Sequence, residues 1–388
     1  MKSKYRIFLP VALALLFVVF WLDALVLGVG AQVPSFENKR PADPPEFRLD
    51  YLDPFPRDAE AYFNDHFAWR GVFQRFNAQL QQVTNGRSPL PDYVVVGKDD
   101  WFFKGGLQLD IYRGKQRFSP EQLEEVVRTL LTRRDSIEAL GGRYYFAVPP
   151  LKHHVYAHHL PDYVRPLNTE YATKQLYARL RSTDLRVIDL HEPLLAYADT
   201  ASVEELYYRT DHHWTVRAGV VAAEAIVDQL REDGVPLTPF NRDAYYYKVF
   251  PNPGMTLAKL AALDREDQDV LFTLHKKSPW NTEVVDRPDL QPPGDFPYPE
   301  NYAIHRQQTD AQKRAQYPTL FVNRESFGEN LLLPLSDHFG KSFFLFDEWE
   351  HDLNLPEYKR EGGDIYLQLV WEGFLFNLLN QDVEDGSW

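Results

Sequence analysis

Two short segments of the sequence carry residue types that could act together in nucleophilic chemistry. Residues 207–215 read YYRTDHHWT and place Asp211 and His213 two positions apart. In an extended chain such residues point the same way, so the carboxylate can accept from one imidazole nitrogen and leave the other as a base. Residues 320–330 read LFVNRESFGEN and predict a strand, a turn and a helix that begins near Ser326. Backbone N–H groups at a helix N-terminus can stabilise an oxyanion.

Each segment also has a plainer interpretation. Ser326 could simply cap its helix, and Asp211 could cap the helix predicted after Thr215. The neighbouring histidines, His212 and His213, are potential metal ligands, but the sequence offers no matched third and fourth ligand. Other histidines cluster in what reads as a surface loop: His153, His154, His158 and His159. We therefore predict neither a metal nor a cofactor.

Strands and helices alternate around these two segments. Buried strands are predicted at 144–148, 185–190, 319–322 and 343–346, and helices at 119–140, 169–180, 215–230, 328–339 and 364–379. Residues 92–103 read as a strand, a turn and a second strand. This alternation predicts a mostly parallel sheet covered on both faces, with its sites beyond the carboxyl ends of the strands.

Composition excludes several classes of function. The chain has 388 residues and a net charge of −14, which argues against a general nucleic-acid binder because such a protein needs a basic face. It contains no cysteine, so disulfides, thiolate zinc sites and cysteine nucleophiles are all excluded. Aromatic residues are abundant, as in many proteins that handle carbohydrates, but dense cores share this feature.

The N-terminus resembles a membrane segment. A basic cluster (Lys2, Lys4, Arg6) precedes apolar runs on both sides of Asp23, which would lie near the far interface. We predict a transmembrane anchor over residues 1–31, which places the rest of the chain outside the cytoplasmic membrane. The alternative is a cleaved signal peptide that also exports the domain. We expect a linker over 32–57 and one domain over 58–388, with an irregular, proline-rich insertion over 235–317.

Taken together, the two segments resemble a known family. Asp-His-His-Trp at 211–214 and Arg-Glu-Ser-Phe at 324–327 resemble the motifs of the DHHW family, which is related to the alginate O-acetyltransferases of the AlgJ and AlgX type. Many members have Asp before the serine, where this chain has Glu325. Further similar stretches are Asn64-Asp65-His66-Phe67 with Arg70, Val96-Gly97-Lys98 with Trp101-Phe102-Phe103, and Val148-Pro149-Pro150 with Lys152.

The resemblance implies a three-layer α/β fold of the SGNH-hydrolase type after one membrane helix. It also implies a catalytic triad in which Ser326 is the nucleophile, His213 the general base and Asp211 the orienting carboxylate. The serine would carry an acetyl group from a donor to a sugar hydroxyl. Four further residues are candidates for substrate binding or for the oxyanion site: Arg324, Asn330, Tyr208 and Lys152. A surface position after the proline turn is the alternative for Lys152.

Three functions remain open on the sequence alone. The leading hypothesis is an O-acetyltransferase that modifies an exopolysaccharide or a cell-wall glycan. Because acetyl-CoA stays in the cytoplasm, the resemblance implies a partner, a multi-spanning membrane-bound O-acyltransferase that passes the acetyl group outward. The second hypothesis is an acetyl esterase with the same triad. The third is a non-catalytic, glycan-binding scaffold of a polysaccharide-assembly complex.

Overall fold

The structure is a computed structural model, and it describes residues 18, 22, 23, 28, 42–47, 53–85, 88, 90–200, 206–292, 294, 296–347 and 350–379. Within these ranges no helix is both long enough and apolar enough to cross a bilayer. The predicted anchor, residues 1–31, falls almost entirely outside the described residues, as does much of the predicted linker. The anchor therefore stays a prediction.

Eleven strands lie in the described part of the chain. They are β1 (Val94–Val96), β2 (Phe102–Lys104), β3 (Arg143–Ala147), β4 (Arg186–Ile188), β5 (Tyr245–Asn252), β6 (Asp269–Lys276), β7 (Thr282–Val285), β8 (Ala303–Gln308), β9 (Thr319–Arg324), β10 (Lys341–Phe346) and β11 (Ile365–Leu369). Seven of them form the central sheet in the order β4-β3-β11-β9-β10-β8-β7. The first five are parallel, whereas β8 and β7 join antiparallel at one edge. The sheet is therefore mixed, with the predicted parallel part at its centre.

Helices cover both faces of this sheet. Alternate strand residues face opposite sides, so Val322 and Leu367 contribute to one core cluster and Phe321 and Tyr366 to the other. The α-helices are α1 (Pro54–His66), α2 (Arg70–Asn85), α3 (Gly106–Tyr112), α4 (Pro120–Glu138), α5 (Lys152–Val155), α6 (Ala172–Leu180), α7 (His191–Thr200), α8 (Val216–Glu232), α9 (Thr256–Leu260), α10 (Ala311–Gln316), α11 (Leu332–Ser336) and α12 (Leu355–Glu361). Helix α8 packs in the first cluster and helices α4 and α6 pack in the second. The result is the predicted three-layer α/β arrangement.

Helix α4 begins where the sequence predicts. The Ser119 side chain accepts from the Gln122 backbone N–H, and the Gln122 side chain accepts from the Ser119 N–H, which completes a capping box. Pro120 occupies the first helical position, where its missing N–H costs nothing. The helix thus starts at a fixed point and delivers the chain to β3 through Gly141 and Gly142.

The helix predicted over 364–379 is wrong. Residues 365–369 form β11, the strand between β3 and β9, and residues 372–379 form a 3₁₀ helix. Every residue of β11 is buried because helices cover both faces of the sheet. A short strand buried on both sides reads as a continuous apolar run, which periodicity alone cannot distinguish from a buried helix.

Two other predicted segments differ from the structure. The helix predicted over 328–339 is a 3₁₀ turn (Ser326–Leu331) followed by the short α11. The segment 235–317, expected to be an irregular insertion of loops with room for short strands of its own, contains the hairpin β5–β6 and also supplies β7 and β8 to the main sheet. The sequence did not indicate β7 and β8 as part of that sheet, because they lie at its edge, where half-exposed residues give a weak pattern.

Candidate active site

Ser326 follows β9 after one residue, Glu325, at the carboxyl edge of the parallel sheet. It is the first residue of the 3₁₀ turn, and the Glu325 carboxylate caps this turn by accepting from the Phe327 N–H at 2.8 Å. Helix α8 approaches the turn closely, since a Cβ added to Gly219 would lie 2.4 Å from the Asn330 carbonyl oxygen. The serine is therefore held between the end of a central strand and a closely packed helix.

The segment with Asp211 and His213 is a tight turn that precedes α8. Tyr207 pairs with Trp214 in an isolated β-bridge, and the Asp211 Oδ1 accepts from the His213 backbone N–H at 3.0 Å. The Trp214 indole N–H donates to the carbonyl oxygen of Phe327 at 2.8 Å. This bond ties the turn to the residue that follows Ser326 and so fixes the two motifs against each other.

The three predicted triad side chains form one continuous hydrogen-bonded chain. The Nδ1 of His213 lies 2.7 Å from the Asp211 Oδ1, and its Nε2 lies 2.9 Å from the Ser326 Oγ. Burial opposes ionisation of Asp211, but hydrogen bonds from His212 and His213 hold its pKa well below the usual range. The carboxylate can thus orient the imidazole, and the imidazole can accept the serine proton. The structure brings the three residues together, while their catalytic role stays a prediction.

Three further side chains lie near the triad: His212, Trp371 and Lys104. The His212 ring packs against Trp371, and burial with the neighbouring His213 lowers the pKa of His212 to about 3, so that it is neutral. The Lys104 ammonium lies 5.7 Å from the centre of the Trp371 ring. Burial lowers the pKa of Lys104, although the charge of Asp211 opposes this.

The same residues are spaced closely enough for a metal ion. Ligand atoms of Asp211, His212 and His213 lie within 4.8 Å of one another. Both ring nitrogens of His213, however, already contact Asp211 and Ser326 at hydrogen-bond distance. The donor set therefore fits a proton-transfer chain without needing a metal, and the predicted lack of a metal or cofactor remains untested.

Lys152 does not occupy either predicted position. It is buried, and its Nζ lies 2.6–2.9 Å from four backbone carbonyl oxygens, those of Phe102, Tyr208, Arg209 and Asp211. Its ammonium also lies 4.7 Å from the centre of the Trp101 ring. Lys152 thus holds the turn that carries Asp211 against the β1–β2 hairpin.

The other three oxyanion candidates are also engaged elsewhere. Asn330 donates through Nδ2 to the Trp214 carbonyl oxygen at 3.1 Å. Arg324 is fully buried, donates to the Asn301 carbonyl oxygen at 2.9 Å and contacts Glu329 at 3.3 Å. Tyr208 is buried beside Phe272, and burial raises the pKa of its phenol to about 12. We assign these side chains to the support of the site, because each has a backbone or packing partner that accounts for its position.

Glu325 contacts the candidate nucleophile directly. Its Oε2 lies 3.2 Å from the Ser326 Oγ, and its Oε1 has no hydrogen-bond partner within the described ranges. Burial raises the pKa of Glu325 to about 7, although the Phe327 N–H and the charge of His213 oppose the shift. Ser326 therefore has two neighbouring acceptors, His213 and Glu325.

Sequence reasoning missed a second cluster beside the triad, which we name the Glu372 cluster. Its members are Glu372, Thr173, His154 and His191. Glu372 follows β11, and its carboxylate accepts from the Leu151 N–H at 2.8 Å and from the Thr173 hydroxyl at 2.6 Å. The strand end before Glu372 is the signal that would have located it, but the same residues were interpreted as a helix.

Comparison with known proteins shows what part of this chain resembles. Residues 94–283 match the family described as the SGNH hydrolase-like domain of the acetyltransferase AlgX, a range that includes Asp211 and His213 and ends before Ser326. A probable alginate O-acetylase AlgJ of Pseudomonas syringae pv. tomato is 25% identical over 169 residues, which are 43% of this chain and 40% of that protein. The matched region spans less than half the length of the curated relatives.

Solved structures agree on the fold. PatB1 of Bacillus cereus, determined with a sulfonyl adduct, has a TM-score of 0.52 at 14% identity and covers 74% of this chain and 98% of its own. A DHHW family protein from Eubacterium siraeum has a TM-score of 0.50 at 14% identity and covers 74% and 92%. The resemblance predicted from the two motifs is thereby confirmed: this chain is similar to the SGNH hydrolase-like domain of AlgX, to AlgJ and, in fold, to a DHHW family protein.

Proposed function

We propose that this chain is an O-acetyltransferase that carries an acetyl group on Ser326 and passes it to a hydroxyl of an exopolysaccharide or cell-wall glycan. The observation that carries the proposal is the unbroken chain of contacts from Asp211 through His213 to Ser326, at 2.7 and 2.9 Å. The relatives are probable alginate O-acetylases, which supports the acetyl group as the group transferred. The polymer is left open, because identity to these relatives is low and partial.

In the first half-reaction the Ser326 Oγ attacks the acetyl carbonyl carbon of the donor. The hydroxyl proton moves to the Nε2 of His213, while Asp211 stabilises the imidazolium through Nδ1. The carbonyl oxygen gains negative charge, for which we propose the Ser326 backbone N–H at the start of the turn as a donor. The donor's leaving group departs with the proton from His213, and the acetyl ester of Ser326 remains.

In the second half-reaction a sugar hydroxyl attacks the acetyl-serine. His213 takes the hydroxyl proton and returns a proton to the Ser326 Oγ as the C–O bond to serine breaks. The products are an acetylated sugar and the free serine. An acetyl esterase would follow the same steps with water as the acceptor, so the triad is compatible with both functions.

The acetyl donor is expected to come from a membrane partner. We propose a multi-spanning membrane-bound O-acyltransferase in this role, since acetyl-CoA is confined to the cytoplasm. The proposal places the chain in the cytoplasmic membrane by its N-terminus and the catalytic domain on the outer side. Secretion after signal cleavage is the alternative, in which the partner would have to recruit a free domain.

Acyl transfer from an activated acetyl ester tests the proposal. The full chain would be mixed with 4-nitrophenyl acetate, with and without oligosaccharide acceptors, and its intact mass measured over time. We expect one added acetyl group on Ser326 that moves to the acceptor. Ser326→Ala should abolish the addition, and Ser342→Ala, which alters a buried serine of β10, is the matched control.

The outcomes separate the three functions. Acetyl moved to sugar supports the transferase, and acetyl lost only to water at the same rate with and without acceptors supports the esterase. A chain that folds, binds oligosaccharide and never acquires acetyl at Ser326 would contradict both enzymes. The non-catalytic glycan-binding scaffold would then be the better reading of the fold.

A further inference from the structure

Large apolar side chains stand exposed on the first two helices. Phe63 on α1 is 62% exposed, and on α2 Phe73, Phe76 and Leu80 are 47%, 63% and 50% exposed. Positions 73, 76 and 80 follow the spacing of one helix face, so their side chains share one side of α2. We name these four residues the aromatic face. Contiguous exposed apolar surface of this kind marks an interaction site.

The opposite side of α2 fixes the orientation of this face. Ala78 is buried in a small core with Phe102 and Leu257, and Arg75 forms an ion pair with Asp264 at 3.0 Å. The helix is thus attached to the β1–β2 hairpin and to α9. The aromatic face must therefore point away from the domain.

The charge of α2 also sets it apart from the rest of the protein. The chain carries a net charge of −14, yet the sequence of α2, RGVFQRFNAQLQQVTN, contains no acidic residue and has two arginines. Its remaining polar positions are mostly neutral amides. A helix without carboxylates can approach phosphate headgroups without charge repulsion, and exposed aromatic rings favour the interface of a bilayer.

A contact links this region to the predicted membrane segment. The Trp69 indole N–H donates to the Asp23 Oδ2 at 2.8 Å, and Asp23 is 2% exposed. In the sequence Asp23 is the polar residue predicted to lie near the outer interface of the anchor. Trp69 lies between α1 and α2, so the outer end of the predicted anchor meets the domain beside the aromatic face.

A cavity of about 380 Å³ opens between α1 and α2. Its lining combines the rings of Phe67 and Phe73 with four polar residues, Asn64, Arg70, Gln74 and Asn77. A lining of aromatic rings, amides and an arginine suits a phospholipid at the level of its headgroup.

From these observations we propose that the aromatic face lies on the outer leaflet of the bilayer that holds the N-terminal anchor. The proposal rests on the predicted anchor and goes beyond the proposed acetyl transfer. It makes α2, together with Phe63 of α1, a second membrane contact, which holds the domain in one orientation above the bilayer.

Site-directed spin labelling tests the proposal, because the chain has no cysteine of its own. The full chain carrying Phe76→Cys would be labelled and reconstituted into vesicles of phosphatidylethanolamine and phosphatidylglycerol. Collision of the label with oxygen, which partitions into lipid, would be compared with collision with a water-soluble nickel chelate. The matched control is Leu140→Cys, an exposed leucine near the end of α4.

We expect the label at 76 to favour oxygen severalfold over the chelate and the label at 140 to show the reverse. If the protein floats with the vesicles but the chelate reaches both labels equally, the membrane contact is overturned and the anchor is not. Protection from both quenchers indicates a protein partner or a second copy and also overturns it. Chain that does not float overturns the anchor and the membrane contact together, without bearing on acetyl transfer to Ser326.

Discussion

Two clusters of a carboxylate, histidine and a hydroxyl lie at neighbouring strand ends of this sheet. The triad follows β9 and the Glu372 cluster follows β11. In the triad the Ser326 hydroxyl contacts histidine, and histidine contacts the carboxylate. In the Glu372 cluster the Thr173 hydroxyl donates straight to the Glu372 Oε1 at 2.6 Å, and His154 approaches the same oxygen at 3.3 Å.

The triad histidine is also more exposed to solvent than the side chains of the Glu372 cluster. The His213 side chain is 32% exposed, whereas those of His154 and Glu372 are 11% and 0% exposed. A histidine can act as general base toward a hydroxyl only when it contacts that hydroxyl and when substrate can reach the pair. The comparison teaches that residue types alone do not define a catalytic site; the order of contacts and the exposure of the histidine do.

The first and largest prediction separates the clusters by chemistry. Ser326→Ala and His213→Ala should each lower the rate of Ser326 acylation, or of acetyl-ester turnover, by roughly 10⁴- to 10⁶-fold, because each removes a member of a unit that acts together. Thr173→Val and His154→Ala should leave this rate within about tenfold, since those residues do not contact Ser326. Stopped-flow release of 4-nitrophenol measures both sets. A comparable loss in the Thr173 variant would contradict the assignment.

The second prediction exchanges each carboxylate for its amide. Asp211→Asn should lower the acylation rate by about 10⁴-fold, because the amide cannot hold the required His213 tautomer. Glu372→Gln should instead lower the free energy of unfolding by about 3 kcal/mol, since it replaces a buried carboxylate that has several partners. Denaturant titration and burst kinetics on the same samples give both values.

The pH dependence of stability gives a further readout for Glu372. Burial alone would raise its pKa, but His154, His191 and the Thr173 hydroxyl lower it to about 2, below the ordinary value of 4.5. A lowered pKa in the folded state gives stability that is present above about 4.5 and is lost as the pH falls towards 2. The difference in unfolding free energy between wild type and Glu372→Gln should therefore shrink over this range. A constant difference would argue against an ionised Glu372.

The third prediction concerns the residue that supports the triad turn. Lys152→Met should lower the free energy of unfolding by at least about 3 kcal/mol, because it leaves several buried carbonyl oxygens without a donor. Any acylation that remains should show an unchanged KM for the acetyl ester, since Lys152 does not face the nucleophile. Lys98→Met, at an exposed lysine paired with Asp162, is the control and should have little effect. A raised KM in a stable Lys152 variant would restore the binding role.

Much of this site could be predicted from the sequence because its elements carry strong local signals. The capped start of α4, the apolar β9 and the small-residue face of α8 fix three elements of the scaffold, of which β9 and α8 hold the turn at Ser326. The short spacing of Asp211 and His213 makes their contact a local matter. Ser326 lies more than 100 residues from His213 in the sequence, and only the family resemblance indicated that the two are in contact.

The rest of the site depends on packing that no local pattern encodes. β11 is apolar at four of its five positions because both faces are buried, so it lacks the alternation of apolar and polar residues that indicates a strand. The position of Glu372 just after a strand was therefore not predicted. Lys152 looks like a surface lysine until the β1–β2 hairpin and the 207–215 turn close over it. The same holds for Asn330 and Arg324, whose partners lie in other parts of the chain.

The fourth and smallest prediction concerns Glu325, whose carboxylate contacts the Ser326 hydroxyl directly, as Glu372 contacts the Thr173 hydroxyl. The Glu325 Oε2 lies 3.2 Å from the Ser326 Oγ, so an ionised Glu325 competes with His213 for the serine proton. Burial raises the pKa of Glu325 from the ordinary 4.5 to about 7. We therefore expect ionisation of Glu325 to lower the acylation rate of wild type by about two- to fivefold as the pH rises through 7. The effect is small because two competing hydrogen bonds differ by about 1 kcal/mol or less. Glu325→Gln should lack this decline.

Stability provides an independent test of the same ionisation. A carboxyl group whose pKa is raised in the folded state contributes stability that is complete below about 4.5 and is lost as the pH rises towards 7. The free energy of unfolding of Glu325→Gln should thus rise relative to that of wild type over this range, by an amount on the order of 3 kcal/mol. The difference should level off above about pH 7. If both pH profiles of the variant match those of wild type, Glu325 acts only as the cap of the Phe327 N–H. Ser326 would then have His213 as its sole effective acceptor, and the contrast with Thr173 would be complete.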